Sequence, residues 1–237
     1  MKNQQYQINP GAACKPAARL IQNVTMATAL LGLCLTLTGR AGNGPLPPGS
    51  SAFGKNLAQW QALWLDWDVG DVTLETDAYG NARSGPVVLL SVPNTPGDGT
   101  PGSLNLTLGV GERFVLPLML LYGNSYDNGT PNDALVSPSD FQNGTLKLTL
   151  DGATIMDNTT AFQFYTSTVY NPPLPFDFPP FTTIIWVQGI SMVHTPLLPG
   201  QHTMTLDEKF TFPEYSVTFE YHNTWHLTVA PTATDDQ

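Results

Sequence analysis

The chain has 237 residues, of which 41% are hydrophobic and only 12% charged, and its formal net charge at pH 7 is −10. That apolar share can build a real core, whereas the acidic surplus argues against nucleic acid and anionic membrane surfaces as partners, because like charge repels. Gly and Pro number 21 each, a balance that favours short strands joined by turns over long surface helices.

At the N-terminus, Lys15 and Arg19 precede an apolar run from Met26 to Leu37 that is short for a membrane span, and Gly39-Arg40-Ala41 offers the small residues a signal peptidase inspects. Residues 1–41 are expected to be an export signal cleaved after Ala41, which makes the protein secreted, extracellular or periplasmic, and not an integral membrane protein. A lipoprotein reading through Leu31-Gly32-Leu33-Cys34 is disfavoured, since the residue before the cysteine should be small. Lys2, Lys15, Arg19 and Arg40 fall in this segment and no acidic residue does; removing four of the nine basic residues leaves five against nineteen acidic ones, a net charge of −14. Cys14 and Cys34 also fall there, so the remainder has to be held by packing without a disulfide.

Residues 42–52, with Pro45, Pro47, Pro48 and Gly49, have no periodicity and read as a linker. Phe53, Leu57, Trp60, Trp64 and Trp67 then recur at helical spacing, so a helix capped by Ser50 or Ser51 and ended at Val69-Gly70 carries one aromatic stripe. Trp60, Trp64 and Trp67 are expected to plug this stripe into a core, and burying the three contributes on the order of 10 kcal/mol as an upper figure. Val87 to Val92 reads as a buried strand and Leu104, Leu106 and Leu108 as a half-buried one. In Arg113 to Leu121, Pro117 cannot donate to a ladder and calls for a bulge or an edge. Tyr122 to Ser139 reads as a loop. Leu146, Leu148 and Leu150 alternate up to Asp151-Gly152, a hairpin turn signal. Phe162 to Tyr165 reads as a short strand and Asn171 to Phe181 as an extended Pro- and Phe-rich segment. Thr182 to Val193, Gln201 to Leu206 and Tyr215 to Val229 complete the strands, before a polar tail at 232–237.

These elements specify an all-β domain over 53–231: a two-sheet antiparallel β-sandwich, jelly-roll or immunoglobulin-like, with one N-terminal Trp-rich helix.

The stretch Ser51-Ala52-Phe53-Gly54-Lys55-Asn56-Leu57-Ala58-Gln59-Trp60, with Trp64 and Trp67, resembles the "YGKSYAEWSxxWWxW" opening of a family of bacterial secreted proteins of unknown function. Gly111 to Leu118 is similar to that family's "GKALFFPL", and Leu148 to Gly152, Pro199 to Met204, Tyr221 and His226 to Val229 agree with its later marks. The chain departs from the pattern in having Leu63 before Trp64. The resemblance implies the fold and export; it implies no activity.

The best polar constellation is Glu220, His222 and His226 on one strand face. His222 and His226 stand roughly 13 Å apart along an extended strand, too far to share one ion. These residues read either as a solvated face or as a binding site completed by His194 or His202. Two acidic loops offer hard oxygen ligands: Asp66, Asp68, Asp71, Glu75 and Asp77, and Asp127-Asn128-Gly129 with Asn132-Asp133. Ca²⁺ is the ion they would take, though neither has the EF-hand spacing and no cofactor is predicted outright. There is no Gly-X-Ser-X-Gly elbow, phosphate loop or His-Glu-X-X-His. The expected function is a secreted binding or extracellular structural role, with an extracellular ligand such as a glycan, or self-assembly. The alternative is a carbohydrate-active enzyme, a polysaccharide lyase or glycosidase, for which Phe176, Phe178, Phe181, Tyr165 and Tyr170 would line a groove.

Overall fold

The computed structural model describes residues 44–93 and 96–230; the expected signal segment, both cysteines and the polar tail lie outside them. The tryptophan helix, α1, spans Leu57–Asp68. Its start is set by a capping box: Asn56 Oδ1 accepts from the Gln59 amide and Gln59 Oε1 accepts from the Asn56 amide, each at 2.9 Å. The cap is therefore Asn56, not Ser50 or Ser51 as the sequence suggests, because the Asn-X-X-Gln pair satisfies two orphan amides at once. Phe53 correspondingly leaves the stripe; it sits in a turn at φ 52°, with the Arg113 guanidinium over its ring. Val69 and Gly70 end the helix as expected, Gly70 at φ 82°.

Eleven strands follow among the described residues: β1 (Glu75–Thr76), β2 (Ala82–Ser84), β3 (Val87–Leu89), β4 (Asp98–Gly109), β5 (Arg113–Tyr126), β6 (Thr145–Leu150), β7 (Ala153–Asp157), β8 (Tyr165–Phe178), β9 (Phe181–His194), β10 (Gly200–Phe212) and β11 (Val217–Ala230). A short helix, α2 (Pro138–Gln142), interrupts the β5 to β6 connection. One sheet has the order β1-β2-β3-β5-β9-β8 and the other β4-β11-β10-β6-β7, and the two pack face to face as the all-β sandwich the sequence specifies. One pairing in each sheet is parallel, β3 with β5 and β4 with β11; the rest are antiparallel.

Local chemistry explains most of these boundaries. Asp151 and Gly152 take φ values of 51° and 77°, the left-handed pair a two-residue hairpin turn needs, and they join β6 to β7. Pro117 falls at a register shift in the β5–β9 ladder, so the missing donor is absorbed by a bulge in an interior strand. Beside that bulge, a Cβ on Gly189 would come within 2.1 Å of the Met119 carbonyl oxygen; only glycine permits the approach. Two segments differ from their sequence reading. β5 runs on to Tyr126, through the start of the expected loop, because β9 pairs with it there. Ala161–Phe164 is a 3-10 turn, which turns Phe164 inward and stacks Phe162 on Tyr165 at 5.2 Å.

α1 packs on β5, β8 and β9. Trp60 and Trp64 are buried and join the main core with Leu89, Phe114, Met192 and Trp225, whereas Trp67 is half-buried and meets Trp64 edge-on at 5.9 Å. Leu65 belongs to a second cluster with Leu174, Phe176, Ile184 and Val187. Gln61 is buried between the two, its Oε1 accepting from Thr166 Oγ1 and Ser191 Oγ, each at 2.8 Å.

Trp64→Ala is expected to lower the unfolding free energy by about 3–5 kcal/mol, and Phe53→Ala by about 1 kcal/mol or less. Urea unfolding of the two variants measures the contrast; equal losses would remove Trp64 from the core.

Candidate functional site

Alternation on β10 and β11 separates an inward set (Met204, Leu206, Glu208, Phe210; Phe219, Tyr221, Asn223, Trp225) from an outward one. The outward residues line up across the five-stranded sheet in rows set by register. Lys209 stands between Thr145 and Glu220, and Asp207 between Lys147 and His222. Thr205 stands between Thr149 and Thr224, with Ser103 beyond; Thr203 faces His226, which faces Asn105; Gln201 faces Thr228, which faces Thr107.

Two shallow concavities occupy this face. The first, about 590 Å³, is lined by Lys147, Asp157, Asn158, Asp207, Lys209, Glu220 and His222 among others. Its charges alternate: Lys209 Nζ donates to Glu220 Oε2 at 2.8 Å, His222 Nε2 lies 3.3 Å from Glu220 Oε1, and His222 Nδ1 lies 2.8 Å from Asp207 Oδ1. A carboxylate stands at each ring nitrogen of His222, an arrangement that favours the imidazolium form. Its pKa is raised by the hydrogen bond to Asp207 first, then by Glu220. The second concavity, about 430 Å³, is lined by Asn105, Thr107, Gln201, His202, Thr203, His226 and Thr228, and its donors and acceptors are hydroxyl, amide and imidazole groups.

The candidate histidines converge only in part: His202 and His226 share the second concavity, whereas His222 lies in the first. His226 is exposed two rows away from His222. His202 pairs instead with Asp151, Nδ1 to Oδ2 at 2.7 Å, and donates Nε2–H to the Leu198 carbonyl at 2.8 Å. Partial burial opposes its charge, but these two bonds outweigh burial and raise its pKa. His194 lies wholly inside the sandwich, stacked on Phe114 at 4.8 Å, with Nδ1–H on the Thr195 carbonyl. Burial holds its pKa low, so it is a neutral core residue and completes no site.

The acidic loops are also dispersed. The Asp66 carboxylate accepts from Tyr170 Oη at 2.9 Å, and Asp77 accepts from the amides of Tyr79 and Asn81, closing the β1–β2 turn. Asp133 accepts from the Asn124 amide and Tyr126 Oη, pinning its loop to β5, while Asp71 and Asp127 are exposed. Asp68 is partly buried, which pushes its carboxyl up to about 6. Among the described residues no group of three or more His, Cys, Asp or Glu comes together as a metal site. The Phe176, Phe178 and Phe181 rings pack on one another and on Tyr122 and Tyr126, with Phe176 buried in the second core cluster.

One group escapes the sequence reading. Glu208 is buried, with neither carboxyl oxygen hydrogen-bonded, and burial raises its pKa well above the ordinary value. The signal was the alternation Met204, Leu206, Phe210, Phe212, which continues past Leu206 and places residue 208 inward.

No family model matches the chain, and no curated protein is significantly similar to it. Among solved structures, a chain of "Structure of PbICP-C in complex with falcipain-2" matches with 13% identity and a TM-score of 0.25, covering 62% of this chain and 100% of that one. At that score the likeness assigns neither partner nor activity. No helix among the described residues is long and apolar enough to cross a membrane.

Two outcomes follow from these placements. An unfolded Glu208 releases its proton near pH 4.5 and the folded one only well above that, so the native state loses stability as pH rises past that value. Glu208→Leu is therefore expected to raise the melting temperature more at pH 8 than at pH 4; calorimetry giving equal gains would contradict this. Since Asp66, Asp77 and Asp133 already serve protein donors, millimolar Ca²⁺ is expected to raise the melting temperature no more than Na⁺ of matched ionic strength.

Proposed function

We propose that the chain is an exported β-sandwich that acts by binding, and that its contact surface is the outer face of the five-stranded sheet. The observation that carries this reading is the run of polar rows from Lys209–Glu220 to Gln201–Thr228, which contains both concavities. Strand geometry repeats these rows every two residues, roughly 6.8 Å, so the face presents hydroxyl, amide and imidazole groups in a regular array. An extended, hydroxyl-rich polymer such as a glycan is the ligand that such an array suits, because each row offers both donors and acceptors. Neither concavity is lined by Phe, Tyr or Trp, which makes hydrogen bonds, in place of stacking on large rings, the source of affinity. His222 and His202 each have both ring nitrogens engaged by protein partners. This favours binding over lyase or glycosidase chemistry on this face. Export rests on the composition of residues 1–41 and on the family resemblance of the tryptophan segment.

Affinity electrophoresis against a panel of soluble polysaccharides tests the reading. Retention by at least one polymer is expected, weakened several-fold by Asn105→Ala combined with His226→Ala, and without reducing-end or unsaturated products. Retention unchanged in the double variant would move the contact surface elsewhere, and sustained product formation by pure protein would replace binding with catalysis.

A further inference from the structure

Where the C-terminal end of α1 meets the bulged stretch of β5 and the inward face of β11, a slot of about 50 Å³ remains, lined by Trp64, Asp68, Leu118, Tyr122, Tyr221 and Asn223, with Leu65, Val92, Pro117 and Leu120 closing it. One water needs roughly 10–15 Å³ on this measure, so the slot has room for a few waters or one small ligand. Three of its walls are aromatic. No Lys or Arg lines it, and the Asp68 carboxylate makes no hydrogen bond or ion pair among the described residues.

Asp68 is the last residue of α1. A carboxylate there sits at the negative end of the helix dipole, the unfavourable terminus for an anion, and burial adds to the cost by pushing its pKa up to about 6. At neutral pH it is still ionised. The titratable groups facing it are Tyr122 of β5 and Tyr221 of β11, the latter with Glu208 beside it, and none of these supplies positive charge. The slot thus sets a carboxylate beside three aromatic side chains at the negative end of a helix dipole, with no cation in its lining.

We propose that this slot binds a quaternary ammonium group. Trp64, Tyr122 and Tyr221 supply the ring faces that attract such a cation, and Asp68 supplies the counter-charge. A quaternary centre is favoured over a primary amine because its methyl groups suit the Leu, Val and Pro lining. This site is separate from the outer sheet face and stands whether or not that face binds a polymer.

The test uses tetramethylammonium chloride as probe, with tert-butanol as an uncharged ligand of similar size and NaCl as the ionic control. The Trp64 indole N–H resonance, assigned by its loss in Trp64→Phe, is followed by NMR. A saturable shift with tetramethylammonium alone is expected. Asp68→Asn should weaken it by about tenfold or more, Tyr122→Leu should weaken it likewise, and Tyr122→Phe, which keeps the ring, should retain it. Asp68→Asn removes a charge that lacks a partner, so the variant is expected to fold. The proposal is overturned if tetramethylammonium gives no saturation, if tert-butanol gives the same shift, or if Asp68→Asn and Tyr122→Leu both bind as the wild type does.

Discussion

A buried indole must bring its N–H to an acceptor, and in this molecule four of the five tryptophans find theirs on backbone carbonyls. Trp60 donates to Ala52 at 3.0 Å, and Trp64 to Leu90, Trp186 to Asp133 and Trp225 to Ser91, each at 2.9 Å. The acceptors lie in the turn before α1, just past β3, and in the loop after β5. Each bond fixes irregular chain to the sandwich while its ring fills core, so hydrophobic burial and loop anchoring are the same event. Trp64 and Trp225 meet consecutive carbonyls from opposite sides, one on the helix and one on β11. That pairing ties α1, the end of β3 and the five-stranded sheet into one unit.

Charge is distributed around that unit in two ways. On the outer face of the five-stranded sheet, acids and bases alternate and pair through hydrogen bonds in the open, where each contributes little to stability. Inside, Glu208 lacks a partner and Asp68 lies partly buried at the wrong end of a helix. Each unpaired buried polar group costs about 1–3 kcal/mol, a cost the apolar packing around Phe210, Trp225 and Leu206 must offset.

Read in one dimension, the sequence determined the all-β class, the tryptophan helix with its end at Gly70, a bulge or an edge at Pro117 and the turn at Asp151-Gly152. Each of these follows from local rules of periodicity, proline's missing donor or positive φ, and those rules act between near neighbours. It also placed Glu220, His222 and His226 on one strand face, since strand alternation is local too. Only the tertiary structure decided that β3 and β4 pair in parallel with their neighbours, and that His222 joins Asp207 while His202 joins Asp151. It alone decided that His194 stacks in the core, and that Asp68, Tyr122 and Tyr221 come together from helix and both sheets. Those outcomes depend on strand order and on register between segments as much as 151 residues apart, and a free energy shared among many long-range contacts leaves no mark at any single position.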